Sequence, residues 1–223
     1  ILVTGGARGL GPPFVKNMVG AGAKVALADI LVKDGQAAAS DIGISFFELD
    51  LGQPESIETC MGQVIDEFGG LDGLVNNGAI ATAVGGLNMT EIEIDLWDQV
   101  MAVNVRGTWL MSRAAVPHLA ETGNGKIVNL ASDTALWGAP NLMHYVASKG
   151  AVISMTRSMA RELGADGIAV NSIAPGLTAV EATEYVPEER KRQYVEGRPF
   201  SRTQTPEDVA GAIMFLMSDA ADF

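Results

Sequence analysis

The chain has one cysteine, Cys60, and two histidines in 223 residues. A lone thiol forms no internal disulfide, and one cysteine with two histidines makes no metal-ligand set. Basic residues are also scarce: 15 Lys and Arg stand against 27 Asp and Glu, a net charge of −12. Such a surface repels a phosphate backbone, which argues against a nucleic-acid partner. The one dense basic cluster, Arg190-Lys191-Arg192, follows Glu188 and Glu189 and reads as a solvated helix face. No apolar run reaches the length of a membrane span, and the opening Ile1-Leu2-Val3-Thr4 lacks a signal-peptide pattern. Linkers, low-complexity tracts and internal repeats are missing too. The expectation is a reduced, cytoplasmic, metal-free globular protein with no membrane partner.

What is present is apolar: 48% of the residues are hydrophobic, enough for one buried core at this length. Strand candidates are Ile1–Thr4, Lys24–Asp29, Ser45–Asp50, Leu74–Asn76, Lys126–Ser132 and Ile168–Ala174. They are apolar on both faces, as strands covered on both sides must be. Between and after them lie helical stretches near 12–21, 33–41, 54–68, 95–120, 144–163, 187–196 and 206–218. The alternation predicts an α/β fold, a doubly wound parallel sheet in a three-layer αβα Rossmann arrangement, as a single domain over 1–223. The segment from about 178 to 200 reads equally as a mobile lid and as an ordinary surface excursion.

The first strand runs into Thr4-Gly5-Gly6-Ala7-Arg8-Gly9-Leu10-Gly11. A strand, a glycine-rich turn and a helix start form the arrangement that cradles a dinucleotide pyrophosphate on backbone amides. The spacing is Gly-x-x-x-Gly-x-Gly. Pro12 and Pro13 follow and remove two amides, so the contacts are expected from Arg8 to Gly11. The second strand ends in Asp29. An acid there binds ribose hydroxyls and repels a 2′-phosphate, which favours NAD over NADP. Asp50 ends the third strand and reads equally as an adenine-facing residue or a helix cap.

Tyr145 and Lys149 stand four apart in a helical stretch and share a face. A phenol ionises near ~10 and is a poor base at neutral pH, and a nearby ammonium pulls that value down. Ser132 closes the fifth strand, where ligands bind in such sheets. Asn104 lies in an otherwise apolar helix and needs a partner: an ordered water near Lys149, or a core group. Trp137 and Met143 read either as walls of an apolar, ring-accepting pocket or as core. His144 reads as a helix-surface residue.

In this order the pieces resemble the short-chain dehydrogenase/reductase family, in its compact single-domain branch, over essentially the whole chain. They are Thr4-Gly5-x-x-x-Gly9-x-Gly11, Asp29, Asp50, Asn76-Asn77, Asn104, Ser132, Tyr145-x-x-x-Lys149 and Pro175-Gly176. The resemblance implies a hydride transfer between NAD and a small secondary alcohol or ketone. It makes Tyr145 the general acid/base, with Lys149 lowering its pKa and holding the nicotinamide ribose. Ser132 would position the substrate oxygen and Asn104 support a water relay. The implied catalytic set is Asn104, Ser132, Tyr145 and Lys149. The implied cofactor surface is Gly5, Arg8, Gly9, Leu10, Gly11, Asp29, Ile30, Asp50, Leu51, Asn77, Gly78, Tyr145, Lys149, Pro175, Gly176 and Thr178, with no metal.

The chain departs from the family where Gly78-Ala79 replaces Ala-Gly and where Val180 replaces a threonine. The family pattern also extends past both ends, so a longer parent chain is expected. A homo-oligomer, dimer or tetramer, is expected from the long apolar helices. Three alternatives remain: an NADP-linked ketoreductase of the same family, a non-catalytic NAD-sensing regulator, and an epimerase or dehydratase of related architecture.

Overall fold

Strands that are apolar at consecutive positions are stable only where both faces of their sheet are covered. The computed structural model, which describes residues 1–222, has that architecture. Six strands form one sheet: β1 (Leu2–Thr4), β2 (Ala26–Asp29), β3 (Ser45–Glu48), β4 (Gly73–Asn76), β5 (Gly125–Leu130) and β6 (Ile168–Ile173). Their order is β3-β2-β1-β4-β5-β6, and every neighbouring pair is parallel.

Helices cover both faces. On one lie α1 (Gly11–Gly20), α2 (Val32–Ile42) and α9 (Pro206–Leu216). On the other lie α3 (Pro54–Phe68), α5 (Thr108–Thr122) and α7 (Met143–Leu163). Alternate strand residues feed the two cores. Leu2, Leu74 and Ile127 pack with Ile57, Met61, Met111 and Leu119. Their neighbours Val3, Val75 and Val128 pack with Phe14, Met18, Val209 and Ile213. The short helices α4 (Ile94–Met101), α6 (Thr134–Trp137) and α8 (Glu188–Glu196) border the carboxyl ends of the strands.

The doubly wound single domain is therefore as expected from the sequence. Several boundaries differ by one or two residues, among them β3, which ends at Glu48 and not at Asp50; two further differences bear on the site. The fifth strand stops at Leu130, short of Ser132. The helix expected over 95–120 is interrupted: between α4 and α5 the residues Ala102–Gly107 form a π-helical turn. Side chains divert the backbone bonding there. Thr108 Oγ1 donates to the Asn104 carbonyl at 2.9 Å, and the Asn104 amide is engaged outside its own helix. Such turns recur at functional sites. No helix among the described residues is long and apolar enough to cross a membrane.

A buried polar ladder ties the helices of one face to the sheet. Asn76 Nδ2 donates to Ser112 Oγ at 3.0 Å and to Asn129 Oδ1 at 2.9 Å, and Asn129 Nδ2 donates to Thr156 Oγ1 at 3.0 Å. These bonds set how α5 and α7 sit over β4 and β5, because a misplaced helix would leave buried amides unpaired.

The chain reverses direction across the sheet between β3 and β4, so the carboxyl ends of β1 and β4 flank a crevice, the usual ligand position in open α/β sheets. Gly5 sits at that point with φ +63°, and a Cβ on it would stand 2.5 Å from Gly78 Cα. Gly5→Ala is expected to destabilise the fold by about 3 kcal/mol through overpacking and left-handed strain. Urea unfolding measures this as a lower midpoint; a midpoint equal to the parent's contradicts the packing.

Candidate active site

The glycine loop leaves β1 and turns into α1 through positive φ at Gly5 and Gly9. A Cβ on Gly9 would have only Val180 Cβ within reach, at 3.9 Å, so the loop opens onto an unfilled cradle. Of the four amides expected to face a phosphate, Gly11 N donates to the Arg8 carbonyl at 3.2 Å. Gly9 N donates to the Glu181 carboxylate at 3.2 Å. Arg8 N and Leu10 N have no partner among the described residues. The Arg8 side chain pairs with Asp34 at 2.5 Å. Gly11 does not line the cleft; it packs under the loop against the Gly5 carbonyl, where a side chain would collide.

Asp29 ends β2 almost fully buried, its carboxylate accepting from Ala7 N at 3.0 Å and Leu31 N at 2.9 Å. It thus holds the glycine loop while lining the cleft beside Ile30. Asp50 also lines the cleft. It is not a helix cap: its Oδ1 accepts from Gly52 N at 2.8 Å in a tight turn, and α3 begins later, after Gln53. Asn77 spends its amide on the glycine loop, donating to the Thr4 and Gly5 carbonyls at 3.1 and 2.7 Å. Gly78 is tight as well: a Cβ there would stand 2.7 Å from Leu51 Cδ1 and 3.2 Å from Gly5 N. The Gly78-Ala79 order therefore lets the loop and Leu51 close on each other.

The cleft measures about 970 Å³ and runs from Asp29, past Gly78, to Tyr145 and Lys149. Pro175, Gly176 and Thr178 form a further wall, with the Thr178 hydroxyl donating to the Gly176 carbonyl at 3.0 Å. Gly5, Arg8, Gly9, Leu10, Leu51, Asn77 and Ser132 also line it. The group implied by the resemblance is elongated and anionic at its centre. The cradle at Gly9, the free amides of Arg8 and Leu10 and the cleft length fit such a group.

At the far end, Lys149 is 4% exposed and its ammonium donates to the Leu130 carbonyl at 2.6 Å. Burial lowers its pKa to about 8. The ammonium lies 5.7 Å from the centre of the Tyr145 ring. The expected lowering of the Tyr145 pKa is not what this arrangement produces. Burial pushes the phenol up to about 12, and the adjacent Ser132 hydroxyl only partly opposes that. Ser132 accepts from Thr134 Oγ1 at 2.9 Å, which leaves its own proton free to donate.

Asn104 is a satisfied core amide. Its Oδ1 accepts from Ile80 N at 2.7 Å, and its Nδ2 donates to the Ile80 carbonyl and Ser148 Oγ, each at 3.1 Å. Ser148 in turn donates to the Tyr145 carbonyl at 2.7 Å. Asn104 thus braces the Tyr145 turn of α7, and it does not line the cleft. His144 is not on the helix surface: it is fully buried, neither ring nitrogen has a partner, and burial lowers its pKa. Trp137 and Met143 are not core, being 50% and 42% exposed. Trp137 walls a side cleft, whereas Met143 lines neither cleft.

The resemblance implies that 133–143 and 178–200 line the pocket, but several cleft residues within and beside them are not singled out individually by the sequence. The chain's three tyrosines converge here, since Tyr185 and Tyr194 both act electrostatically on Tyr145. Asp133, Glu181 and the stretch from Ala79 to Gly86 also line the cleft. Arg190 faces inward and lies 5.8 Å from the Trp137 ring, unlike the solvated face expected for its cluster. Tyrosines inside a segment rich in proline and charge are the one sequence signal that points to these positions.

Comparison with known proteins agrees with this geometry. The family description "Enoyl-(Acyl carrier protein) reductase" matches residues 5–223. A 3-alpha-(or 20-beta)-hydroxysteroid dehydrogenase of Mycobacterium tuberculosis is 37% identical over 100% of this chain and 83% of its own length. A 2,5-dichloro-2,5-cyclohexadiene-1,4-diol dehydrogenase of Sphingobium indicum is 37% identical over 100% of this chain and 91% of its own. The crystal structure of a 3-ketoacyl-(acyl-carrier-protein) reductase from Brucella melitensis, complexed with NADH, superposes with a TM-score of 0.91 at 30% identity, covering 100% of this chain and 91% of that one. The chain belongs to the short-chain dehydrogenase/reductase family; its relatives are oxidoreductases acting on CH-OH groups, and the NADH complex of the Brucella structure supports a nicotinamide cofactor.

Lys149 buries a charge that the fold alone does not need. Its folded pKa of about 8 lies below the ordinary 10.5, so the folded state resists protonation and is penalised below pH 8. Lys149→Met is expected to raise stability at pH 7, by up to about 3 kcal/mol, while removing activity. The gain should shrink as pH rises through 8 towards 10.5, where the unfolded lysine also loses its proton. Thermal melts of protein without added cofactor across this range measure it; a variant less stable than the parent at pH 7 contradicts the cost.

Proposed function

We propose that the protein is an NAD(H)-dependent dehydrogenase that interconverts a small secondary alcohol and its ketone, with Tyr145 as general acid/base. The observation that carries this reading is the convergence of Ser132, Tyr145 and buried Lys149 at one end of a long cleft whose other end holds Asp29. A bound nicotinamide would supply or take the hydride, and the side chains of this chain do the rest. The Ser132 O–H holds the substrate oxygen. Tyr145 gives that oxygen a proton in reduction and removes it in oxidation. The Lys149 ammonium favours the phenolate while it exists, in surroundings dry enough for the charge to act strongly.

Asp29 supports NAD over NADP. Its carboxylate is fixed by two backbone amides, and the nearby Arg8 is already paired with Asp34. A 2′-phosphate would meet an anion and find Arg8 taken. The NADH complex of the Brucella relative supports the same choice. Asp29 also counts against the NADP-linked ketoreductase, and the assembled Ser132, Tyr145 and Lys149 count against a cofactor sensor that needs no chemistry.

A reduced cytoplasmic setting fits the buried Cys60, whose thiol burial pushes up to about 12. We read the protein as a homo-oligomer, a dimer or tetramer, because Ile94 and Trp109 expose large apolar surface on the long helix that begins at α4.

Tyr145→Phe is expected to lower turnover by about a thousandfold while NADH binding persists; a fully active variant sinks the acid/base assignment. The parent is expected to prefer NADH over NADPH, and Asp29→Ala to narrow the difference. Preference of the parent for NADPH overturns the cofactor reading. Glu181 stands on the Gly9 amide where a pyrophosphate is expected, so Glu181→Gln should bind NADH several-fold tighter. Fluorescence titration gives both affinities, and equal or weaker binding contradicts that competition.

A further inference from the structure

Beside the main cleft lies a second one of about 650 Å³. Asp133, Pro187, Arg190 and Tyr194 line both, so the second cleft is a side chamber of the first. Asp133 follows Ser132 directly, which puts the shared wall one residue from the proposed reacting centre.

The Asp133 carboxylate is unevenly satisfied. The Thr134 backbone amide, Trp137 and Tyr194 offer donors, and the positive charge of Arg198 lies close by on the Gly176 side. Asp133 Oδ1, however, is buried with no hydrogen-bond partner among the described residues. Burial raises the carboxyl's pKa, and these neighbours only partly offset it. A buried acceptor left without a donor is costly and calls for an explanation. Rotation about the soft terminal torsion exchanges the two oxygens, so one of them stays short of a donor in either orientation. A carboxylate in this state accepts from an O–H or N–H and rejects another anion.

The other groups in the chamber suit a hydroxylated ligand. Tyr194 and Trp137 meet edge to face at 6.3 Å, and Arg190 and Arg198 lie 5.8 Å and 5.5 Å from the Trp137 and Tyr194 rings. The guanidinium groups pair with hydroxyl oxygens, and the aromatic rings cover the carbon skeleton between them. Arg198 is anchored to the Leu177 carbonyl at 2.6 Å, which ties the chamber to the chain that follows the Pro175-Gly176 wall.

We propose that Asp133 is a specificity-determining residue that accepts a hydrogen bond from a second hydroxyl of the substrate, so that the preferred substrates are diols or polyols, cyclic ones included. This rests on the dehydrogenase reading above. The reacting hydroxyl lies at Ser132 and Tyr145, and the second one reaches the shared wall.

The test compares kcat/KM for the cyclohexanediol isomers with that for cyclohexanol, in the parent, Asp133→Ala and Tyr194→Phe. In the parent at least one diol isomer is expected to exceed cyclohexanol by about tenfold or more. Asp133→Ala should bring that ratio close to one, and Tyr194→Phe should lower it in part. A purely structural role would lower both substrates together and leave the ratio unchanged. An unchanged ratio in both variants, or a parent that favours cyclohexanol, overturns the assignment of Asp133. If Asp133→Ala does not fold, as read by lost NADH binding, Tyr194→Phe decides alone. Absence of turnover with every alcohol overturns the dehydrogenase reading itself, a result distinct from turnover without diol preference.

Discussion

The Lys149 ammonium is buried against the end of β5 and donates to the Leu130 carbonyl at 2.6 Å. Holding a charge there constrains much of the structure. β5 must end at Leu130 so that its last carbonyl is free for the ammonium. The helix α7 must lie at a fixed rotation, because Tyr145, Ser148 and Lys149 have to face three different partners. Ser148 bonds the Tyr145 carbonyl and receives Asn104, which is itself clamped to the Ile80 backbone. The π turn around Asn104 lets one amide serve both that clamp and α7. The ladder from Ser112 through Asn76 and Asn129 to Thr156 holds the same two helices on the sheet. A core this polar gains specificity of arrangement at a cost in stability, which the apolar layers on both faces offset.

Charge is distributed around the cleft by the same logic. The glycine loop offers backbone amides, yet carboxylates already stand near it: Asp29 on Ala7 N and Glu181 on Gly9 N. Asp29 is buried and part of the fold, whereas Glu181 is exposed on the excursion after Thr178. On the proposed reading one acid selects what the loop accepts, and the other competes for it. This division gives the 178–200 segment a contact with the cofactor end of the cleft as well as with its substrate end, where Arg190 and Tyr194 sit.

Much of this was legible in the sequence because it depends on local pattern. Consecutive apolar residues marked the strands, and the i, i+4 spacing put Tyr145 and Lys149 on one helix face. Ser132 and Asp29 were legible as polar residues where apolar strands stop. What was hidden depends on contacts between distant segments. The π turn follows from Asn104 meeting Ile80. His144 looked exposed because nothing local reports that its side of α7 is covered. Asp50 looked like a possible cap until the turn at Gly52 pushed the start of α3 onward. Glu181 and Asp133 were ordinary acids in loops, and only the fold brings one to the glycine loop and the other between two clefts.

The two ionisable groups at the proposed reacting centre are shifted in opposite directions by one cause. Burial raises Tyr145 to about 12 and lowers Lys149 to about 8, so both move towards neutrality. A centre that resists charge favours a phenol that keeps its proton until a substrate oxygen needs it. It also makes any charge that does form there interact strongly with its neighbour, since water screens little at this depth. A phenolate at Tyr145, formed in ketone reduction and needed as the base in alcohol oxidation, would bring the ammonium back towards its ordinary basicity, and the ammonium would lower the cost of the phenolate. The pair therefore acts as one unit, a neutral phenol beside a costly ammonium before a phenolate forms and a mutually stabilised ion pair once it does. Leu130 and Asn104 keep the two groups close enough for that exchange.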